Sequence, residues 1–88
     1  DSIWNINYVD LSNYKTKTIT TTLNNNEDIC WFKDGSILTS HKNNLYIFNS
    51  KLSNDWILLC SLEEYGITNI SRIAINPDND KLALVNSK

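Results

Sequence analysis

The chain has 88 residues, a formal net charge of -2 at pH 7 and a hydrophobic fraction of 41%, with three Trp and four Tyr. This length and apolar content predict one small folded domain and exclude a disordered tail. The absence of any Lys or Arg block argues against direct contact with nucleic acid or an anionic membrane surface, and no apolar run approaches the roughly 20 residues of a membrane helix.

Two strands are predicted before the first long polar connection. Residues 2–11 mix apolar and Asn positions in the alternation expected of a strand with one solvated face. Residues 17–23 form a Thr-rich run that strongly prefers extended structure. Residues 24–28 are polar, and they predict a loop that leads into the next strand.

The stretch from residue 29 to residue 62 organises the chain. It contains short apolar runs separated by turns that are rich in Asn, Asp, Gly, Ser and Lys. This pattern predicts four antiparallel strands in one up-and-down sheet. Trp31 and Trp56 lie within apolar runs and are expected in the core. The four runs occupy residues 29–32, 36–40, 45–48 and 56–62.

One more hairpin is predicted after the turn at Gly66. Its strands are residues 70–75 and 81–85, and residues 76–80 give a dense turn pattern. Pro fixes its own backbone dihedral, and Asn and Asp side chains bond to nearby backbone amides. No window of helical length carries apolar residues at helical spacing. The sequence therefore predicts an all-β chain.

The strands recur along the sequence. A shift of 39 places residues 6–10 on residues 45–49, Ile19 on Leu58 and Leu23 on Leu62. A shift of 44 places residues 29–31 on 73–75 and Asp34-Gly35 on Asp78-Asn79. After one extra residue, Ile37-Leu38 falls on Leu82-Ala83. A period near 40 to 45 residues with four short strands is typical of a β-propeller blade.

The repeats resemble the WD40 family. Residues 70–85 look like its first hairpin, in which apolar residues precede a Ser/Asn-Pro-Asp-Gly type turn and a small apolar strand; residues 31–38 are similar. Val9-Asp10 and Phe48-Asn49 stand where the family's Trp-Asp dipeptide ends the third strand. No Gly-His precedes Ile29 or Ile70, so the broader β-propeller class is the safer prediction.

This resemblance implies a segment of a β-propeller built from four-stranded antiparallel blades. Residues 1–23 would be strands c and d of one blade, residues 29–62 a full blade, and residues 70–88 strands a and b of the next. Half blades leave faces and edges without partners. There is also no Met, even at position 1. We therefore expect the segment to belong to a larger protein, with the rest of its propeller as one partner.

Cys30 and Cys60 lie in apolar runs, where a free Cys behaves as a small hydrophobe, and two cysteines are too few for a disulfide scaffold. An intracellular protein, cytoplasmic or nuclear, is expected. The abundance of Asn suggests a eukaryotic source with an AT-rich genome.

Residues that could carry chemistry are scattered. Cys30, His41 and Cys60 lie singly on different elements and do not have the spacing of metal ligands. Residues 78–80 have the composition of a calcium loop, but the preceding Pro and the missing Glu favour a turn. Ser40 and His41 are adjacent on a strand and point to opposite faces. No catalytic residue, cofactor or metal is predicted, and the chain is not expected to be an enzyme.

Three loops are candidates for partner binding. In propellers of the family that this chain resembles, the loops from strand d to the next strand a, and from b to c, crowd one face and commonly bind proteins. Here they are residues 24–28, 41–44 and 63–69. An aromatic residue in a polar loop is a plausible anchor, although Tyr65 packing over a blade edge is an equal alternative. The candidate residues are Glu27, Asp28, His41, Lys42, Glu64 and Tyr65.

Three functions follow as hypotheses. The first is a non-catalytic WD40-like scaffold that binds other subunits of a multiprotein complex. The second is the propeller that controls substrate access in a prolyl-oligopeptidase-type serine hydrolase, which a Gly-x-Ser-x-Gly motif elsewhere in the parent protein would favour. The third is an independent small β-sandwich, which a cooperative unfolding transition of the monomer would favour.

Overall fold

A computed structural model describes residues 2–88 as an all-β chain, which confirms the predicted fold class. Each predicted run overlaps one strand, and the largest difference lies in the first run, where the strand is confined to residues 5–9. The only helical element described is a single 3-10 turn, Glu63–Tyr65. The strands are β1 (Asn5–Val9), β2 (Thr16–Thr21), β3 (Ile29–Trp31), β4 (Ile37–His41), β5 (Asn44–Phe48), β6 (Ile57–Ser61), β7 (Ile70–Ile75) and β8 (Leu82–Asn86).

The strands form three antiparallel sheets. The central sheet contains β3, β4, β5 and β6 in chain order, so the up-and-down sheet predicted for residues 29–62 is confirmed. The other two sheets are the hairpins β1–β2 and β7–β8. Within each sheet, neighbouring strands are consecutive in sequence and antiparallel.

The central strand β4 is buried on both faces. Leu38 is 1% exposed and packs in a cluster with Leu45, Ile70 and Ile73, which places the β7–β8 hairpin on that face. Ile37 is 2% exposed and points to the opposite face, because successive side chains of a strand alternate.

The β1–β2 hairpin lies on this second face. Ile6 of β1 and Ile19 of β2 line an apolar cleft of about 250 Å³ together with Ile37. The two hairpins therefore cover opposite faces of the central sheet, and the three sheets form three layers. Because both faces of β4 are covered, its sequence lacks the alternation of apolar and polar residues that is typical of a strand with one solvated face.

The two tryptophans expected in the core have different positions. The prediction for Trp31 is wrong, since this side chain is 54% exposed. Trp31 ends a three-residue strand at the edge of the central sheet, where its Nε1 donates to the Gly35 carbonyl (3.1 Å) and its ring lies 6.2 Å from that of Tyr8. Trp56 is half-buried, and its ring packs 5.7 Å from Phe48.

The hairpins β1–β2 and β5–β6 share one irregularity. Each has a β-bulge, between Ile6 and Asn7 in β1 and between Leu45 and Tyr46 in β5, and these positions are 39 residues apart as predicted. The extra residues on the partner strands are Ile19 and Leu59, which are 40 residues apart. The predicted match of Ile19 with Leu58 is therefore wrong by one residue, because the β5–β6 connection is one residue longer.

The turns after β1 and β5 also use the same hydrogen bonds. The Asp10 carboxylate accepts from the Ser12 amide (2.9 Å), and the Asn49 side chain accepts from the Lys51 amide (2.9 Å). The carbonyl of each residue accepts from the amide four positions later, at 2.6 Å and 3.1 Å respectively. A short side chain with an oxygen acceptor is what this turn requires, which explains Asp and Asn at the two positions.

The hairpins β3–β4 and β7–β8 share a second geometry. The Gly35 amide donates to the Phe32 carbonyl (3.0 Å), and the Asn79 amide donates to the Asn76 carbonyl (2.9 Å). Gly35 and Asn79 both have left-handed backbone, with φ of 91° and 60°. These are residues that adopt this conformation at low cost. The predicted correspondence of Asp34-Gly35 with Asp78-Asn79 is thus matched by backbone geometry.

Substitution Gly35→Ala is expected to lower the free energy of unfolding by about 1 kcal/mol, because a Cβ is disfavoured in left-handed backbone. A Cβ at this position would meet no atom within 4 Å, so the loss of stability would come from the backbone conformation and not from a steric clash. Urea unfolding measures the loss. Lys33→Ala, at an exposed side chain of the same turn, is the control and should change stability by less than about 0.5 kcal/mol. A neutral Gly35→Ala would contradict the geometry described for this turn.

Candidate functional site

The predicted loops lie at one end of the central sheet. Antiparallel strands alternate in direction, so the start of β3, the β4–β5 turn and the end of β6 share that end. The start of β7 joins them, because the Ile70 amide donates to the Lys42 carbonyl (2.9 Å). We call residues 24–28, 41–44 and 63–69 the loop rim.

Asparagine side chains build the first part of the loop rim. The Asn24 side-chain oxygen accepts from the Asn26 amide (2.7 Å), and the Asn26 oxygen accepts from the Asp28 amide (2.9 Å). The Asn26 Nδ2 also donates to the carbonyl of Ser40 in β4 (3.0 Å). Successive Asx turns therefore fix this loop against the central sheet, which gives the Asn-rich sequence a structural role.

Asp28 links two sheets. Its carboxylate accepts from the amide of Ile73 in β7 (2.6 Å), and its carbonyl accepts from the Thr39 hydroxyl (3.0 Å). The side chain is half-buried. Asp28 is one of the predicted partner-binding residues, and its carboxylate is engaged within the chain. Nothing in the local sequence indicates this contact, since Ile73 lies 45 residues away.

The other predicted residues face solvent. Tyr65 is 69% exposed on the 3-10 turn that Gly66 ends with left-handed backbone (φ 76°). Lys42 has φ of 58° in the two-residue turn between β4 and β5. The structure thus brings five of the six candidates to the loop rim with exposed side chains: Glu27, His41, Lys42, Glu64 and Tyr65.

The charges of the loop rim are not paired with one another. Across residues 2–88 the single ion pair is Lys81 with Asp80, at 3.5 Å, outside the loop rim. Exposed charges without intramolecular partners keep their hydration and can contact a second molecule without breaking an existing pair. The loop rim therefore offers an aromatic side chain among free acidic and basic groups.

Two carboxylates outside the loop rim, in the turns after β1 and β3, stabilise those turns. A hydrogen bond from Ser12 lowers the pKa of Asp10, and hydrogen bonds from Ser36 lower the pKa of Asp34. Both groups are fully exposed, so these bonds order the turns rather than mark a buried reactive centre. In the part of the chain that is described, no group of three His, Cys, Asp or Glu side chains is placed to hold a metal ion.

Ser40 and His41 lie on opposite sides of β4. Ser40 is fully buried, and its hydroxyl accepts from the Asn26 Nδ2 (3.2 Å), whereas His41 is exposed. This arrangement follows from the alternation of side chains along a strand. The two residues therefore have separate environments, with Ser40 in the anchoring of the loop and His41 on the surface.

Both cysteines are free and half-buried. Burial, together with the nearby charge of Asp28, raises the pKa of the Cys30 thiol. Because the thiolate is the reactive form, Cys30 is expected to react with iodoacetamide at pH 8 several-fold more slowly than the same thiol in the urea-unfolded chain. Peptide mass spectrometry after timed alkylation measures this ratio, and equal rates would contradict the placement of Cys30.

Sequence reasoning missed the exposure of β6. Ile57, Leu58 and Leu59 are 40%, 53% and 50% exposed, although the run that contains them reads as a core strand. The sequence alone did not indicate this exposure, because the equivalent residues, Lys17 and Thr18, lie 40 positions earlier and not at the predicted shift of 39. Polar residues at the equivalent places indicate a solvated position.

The chain matches no family model, no curated protein and no solved structure. Among residues 2–88, no helix is long and apolar enough to span a bilayer.

Proposed function

We propose that the chain is a segment of a WD40-like β-propeller that acts as a non-catalytic scaffold for protein partners in a larger complex. The observation that supports this most is the recurrence of two hairpin geometries in sheets that stack face to face. In repeat architectures each unit buries its faces against copies of itself, which leaves loops and edges for other molecules.

The loop rim is the proposed partner-binding surface. Tyr65 supplies a large, rigid aromatic side chain on a turn that Gly66 closes, and such residues are frequent anchors of protein interfaces. His41 and Lys42 contribute polar and basic groups on the neighbouring turn, and Glu27 and Glu64 contribute acidic groups. Mixed charge around an aromatic anchor suits a protein surface better than a phosphate backbone.

The rest of the propeller is the second proposed partner. The edges of β1 and β8 are unpaired among the described residues, because β1 pairs with β2 alone and β8 with β7 alone. Unpaired edges are templates for further strands. We propose that additional strands of the same propeller pair with both edges. The two free cysteines suit a reducing, intracellular compartment.

The loop-rim proposal is tested by site-specific photo-crosslinking in cells that make the parent protein. A benzophenone amino acid replaces Tyr65 in one variant and Tyr14, which is exposed on the β1–β2 turn, in the control. Discrete protein adducts are expected at position 65 and not at position 14. A second variant, His41→Ala, should reduce the adducts at position 65 several-fold, since it removes a neighbouring contact. Equal adducts at both positions would refute the proposed surface.

A further inference from the structure

Strand β6 forms a free edge of the central sheet and carries unusually apolar side chains for an exposed strand. It pairs with β5 on one side, and no described strand pairs on the other. Ile57, Leu58 and Leu59 are all substantially exposed. Exposed edges are normally protected by Lys, Pro or short length, because an open row of backbone donors and acceptors recruits other strands. β6 contains neither Lys nor Pro.

The fold itself does not require the apolar character of Ile57 and Leu58. β2 is the equivalent strand of the β1–β2 hairpin and has the same bulge. At the positions equivalent to Ile57 and Leu58, β2 has Lys17 and Thr18. A solvated edge is therefore compatible with the hairpin geometry. Ile57 and Leu58 are better explained by a second molecule that covers them.

The charges around β6 indicate the kind of molecule. Asp55 precedes the strand, and Glu63 and Glu64 follow it, whereas residues 52–71 contain no Lys or Arg. All three acids are exposed, and none takes part in an ion pair within the described chain. A segment that lies along β6 would thus meet an apolar centre with negative charge at both ends.

We propose that the edge of β6 binds an extended segment of a partner protein as an added strand. The segment pairs with the β6 backbone and places apolar side chains at alternate positions beside Ile57 and Leu59, on one face of the sheet. It carries Lys or Arg at both ends, where it meets Asp55 and the Glu63-Glu64 pair. This surface adjoins the loop rim and shares Glu63 and Glu64 with it, but it does not use Tyr65 or His41.

A second copy of the chain fits this edge less well. Antiparallel pairing of two β6 strands would bring Asp55 of each copy toward Glu63 and Glu64 of the other. Like charges placed opposite each other on paired strands are destabilising. A basic-ended segment removes this repulsion, which is why a different protein is the proposed occupant.

The test uses a fluorescent peptide that alternates Val and Thr and has two Lys at each end, titrated with the 88-residue chain and followed by anisotropy. The double variant I57K/L58T introduces the residues that β2 has at the equivalent positions, and it should weaken binding at least tenfold. Leu11→Thr, at an exposed apolar position on another turn, should leave binding unchanged. Raising the salt concentration from roughly 50 to 500 mM should weaken binding several-fold.

A backbone-modified peptide separates strand addition from nonspecific apolar contact. N-methylation of alternate amides keeps every side chain but removes the hydrogen bonds that pair strands, so its binding to the unchanged chain should be lost. This comparison holds even if the double variant does not fold. Equal binding of the methylated peptide, no measurable binding of the parent peptide, or dimerisation of the chain through β6 would each overturn the proposal.

Discussion

Leu38→Ala and Ile37→Ala are each expected to lower the free energy of unfolding by about 3 kcal/mol, the usual cost of a cavity at a fully buried Leu or Ile. Leu38 is covered by the β7–β8 hairpin and Ile37 by the β1–β2 hairpin. Truncation of a buried side chain should therefore destabilise the chain equally on either face of β4. Urea unfolding followed by Trp fluorescence measures the two losses; a variant that is unfolded without urea also meets the expectation.

Leu52→Ala provides the control for this pair. Leu52 is exposed in the β5–β6 connection, so its truncation should change stability by less than about 0.5 kcal/mol. A two-layer sandwich would bury only one face of β4. If either Leu38→Ala or Ile37→Ala behaved like Leu52→Ala, the three-layer arrangement would be contradicted.

Asp28→Ala should lower the free energy of unfolding by about 2 kcal/mol, because it removes a charged acceptor and leaves the Ile73 amide without its partner. The loss should be largest for β7, so hydrogen exchange of the Ile73 amide should accelerate together with the drop in stability. Asp28→Asn keeps an oxygen acceptor without the charge and should have an intermediate effect.

Glu27→Ala is the matched control for Asp28→Ala. Glu27 is the preceding residue and is exposed, so its replacement should change stability by less than about 0.5 kcal/mol. Similar effects of the two substitutions would show that the contact between the Asp28 carboxylate and β7 does not stabilise the fold.

The strands and turns could be predicted because their causes are local. The Asx turn at Asp10, the left-handed residue at Gly35 and the turn at residues 76–80 are each encoded within a few neighbouring residues. The repeat could be predicted for the same reason. The exception is the one extra residue in the β5–β6 connection, which is visible only from the pairing of Tyr46 with Leu58.

The positions of individual side chains could not be predicted, because they depend on contacts distant in sequence. Trp31 is exposed since its strand ends at a sheet edge, and Asp28 is engaged because β7 passes beside it. The exposed positions on the loop rim were easier, as polar residues next to turns usually face solvent. The set of loops that share one end of the central sheet could be predicted from the alternating direction of antiparallel strands alone.

Methyl nuclear Overhauser spectroscopy of the isotope-labelled chain tests the stacked arrangement most directly. Cross-peaks are expected between Ile37 and Ile6, and between Leu38 and Ile73, in the same sample. Ile6 and Ile73 lie on opposite sides of the central sheet and should show no cross-peak with each other. A cross-peak between Ile6 and Ile73 would mean that the outer hairpins pack together, and the three-layer account would fail.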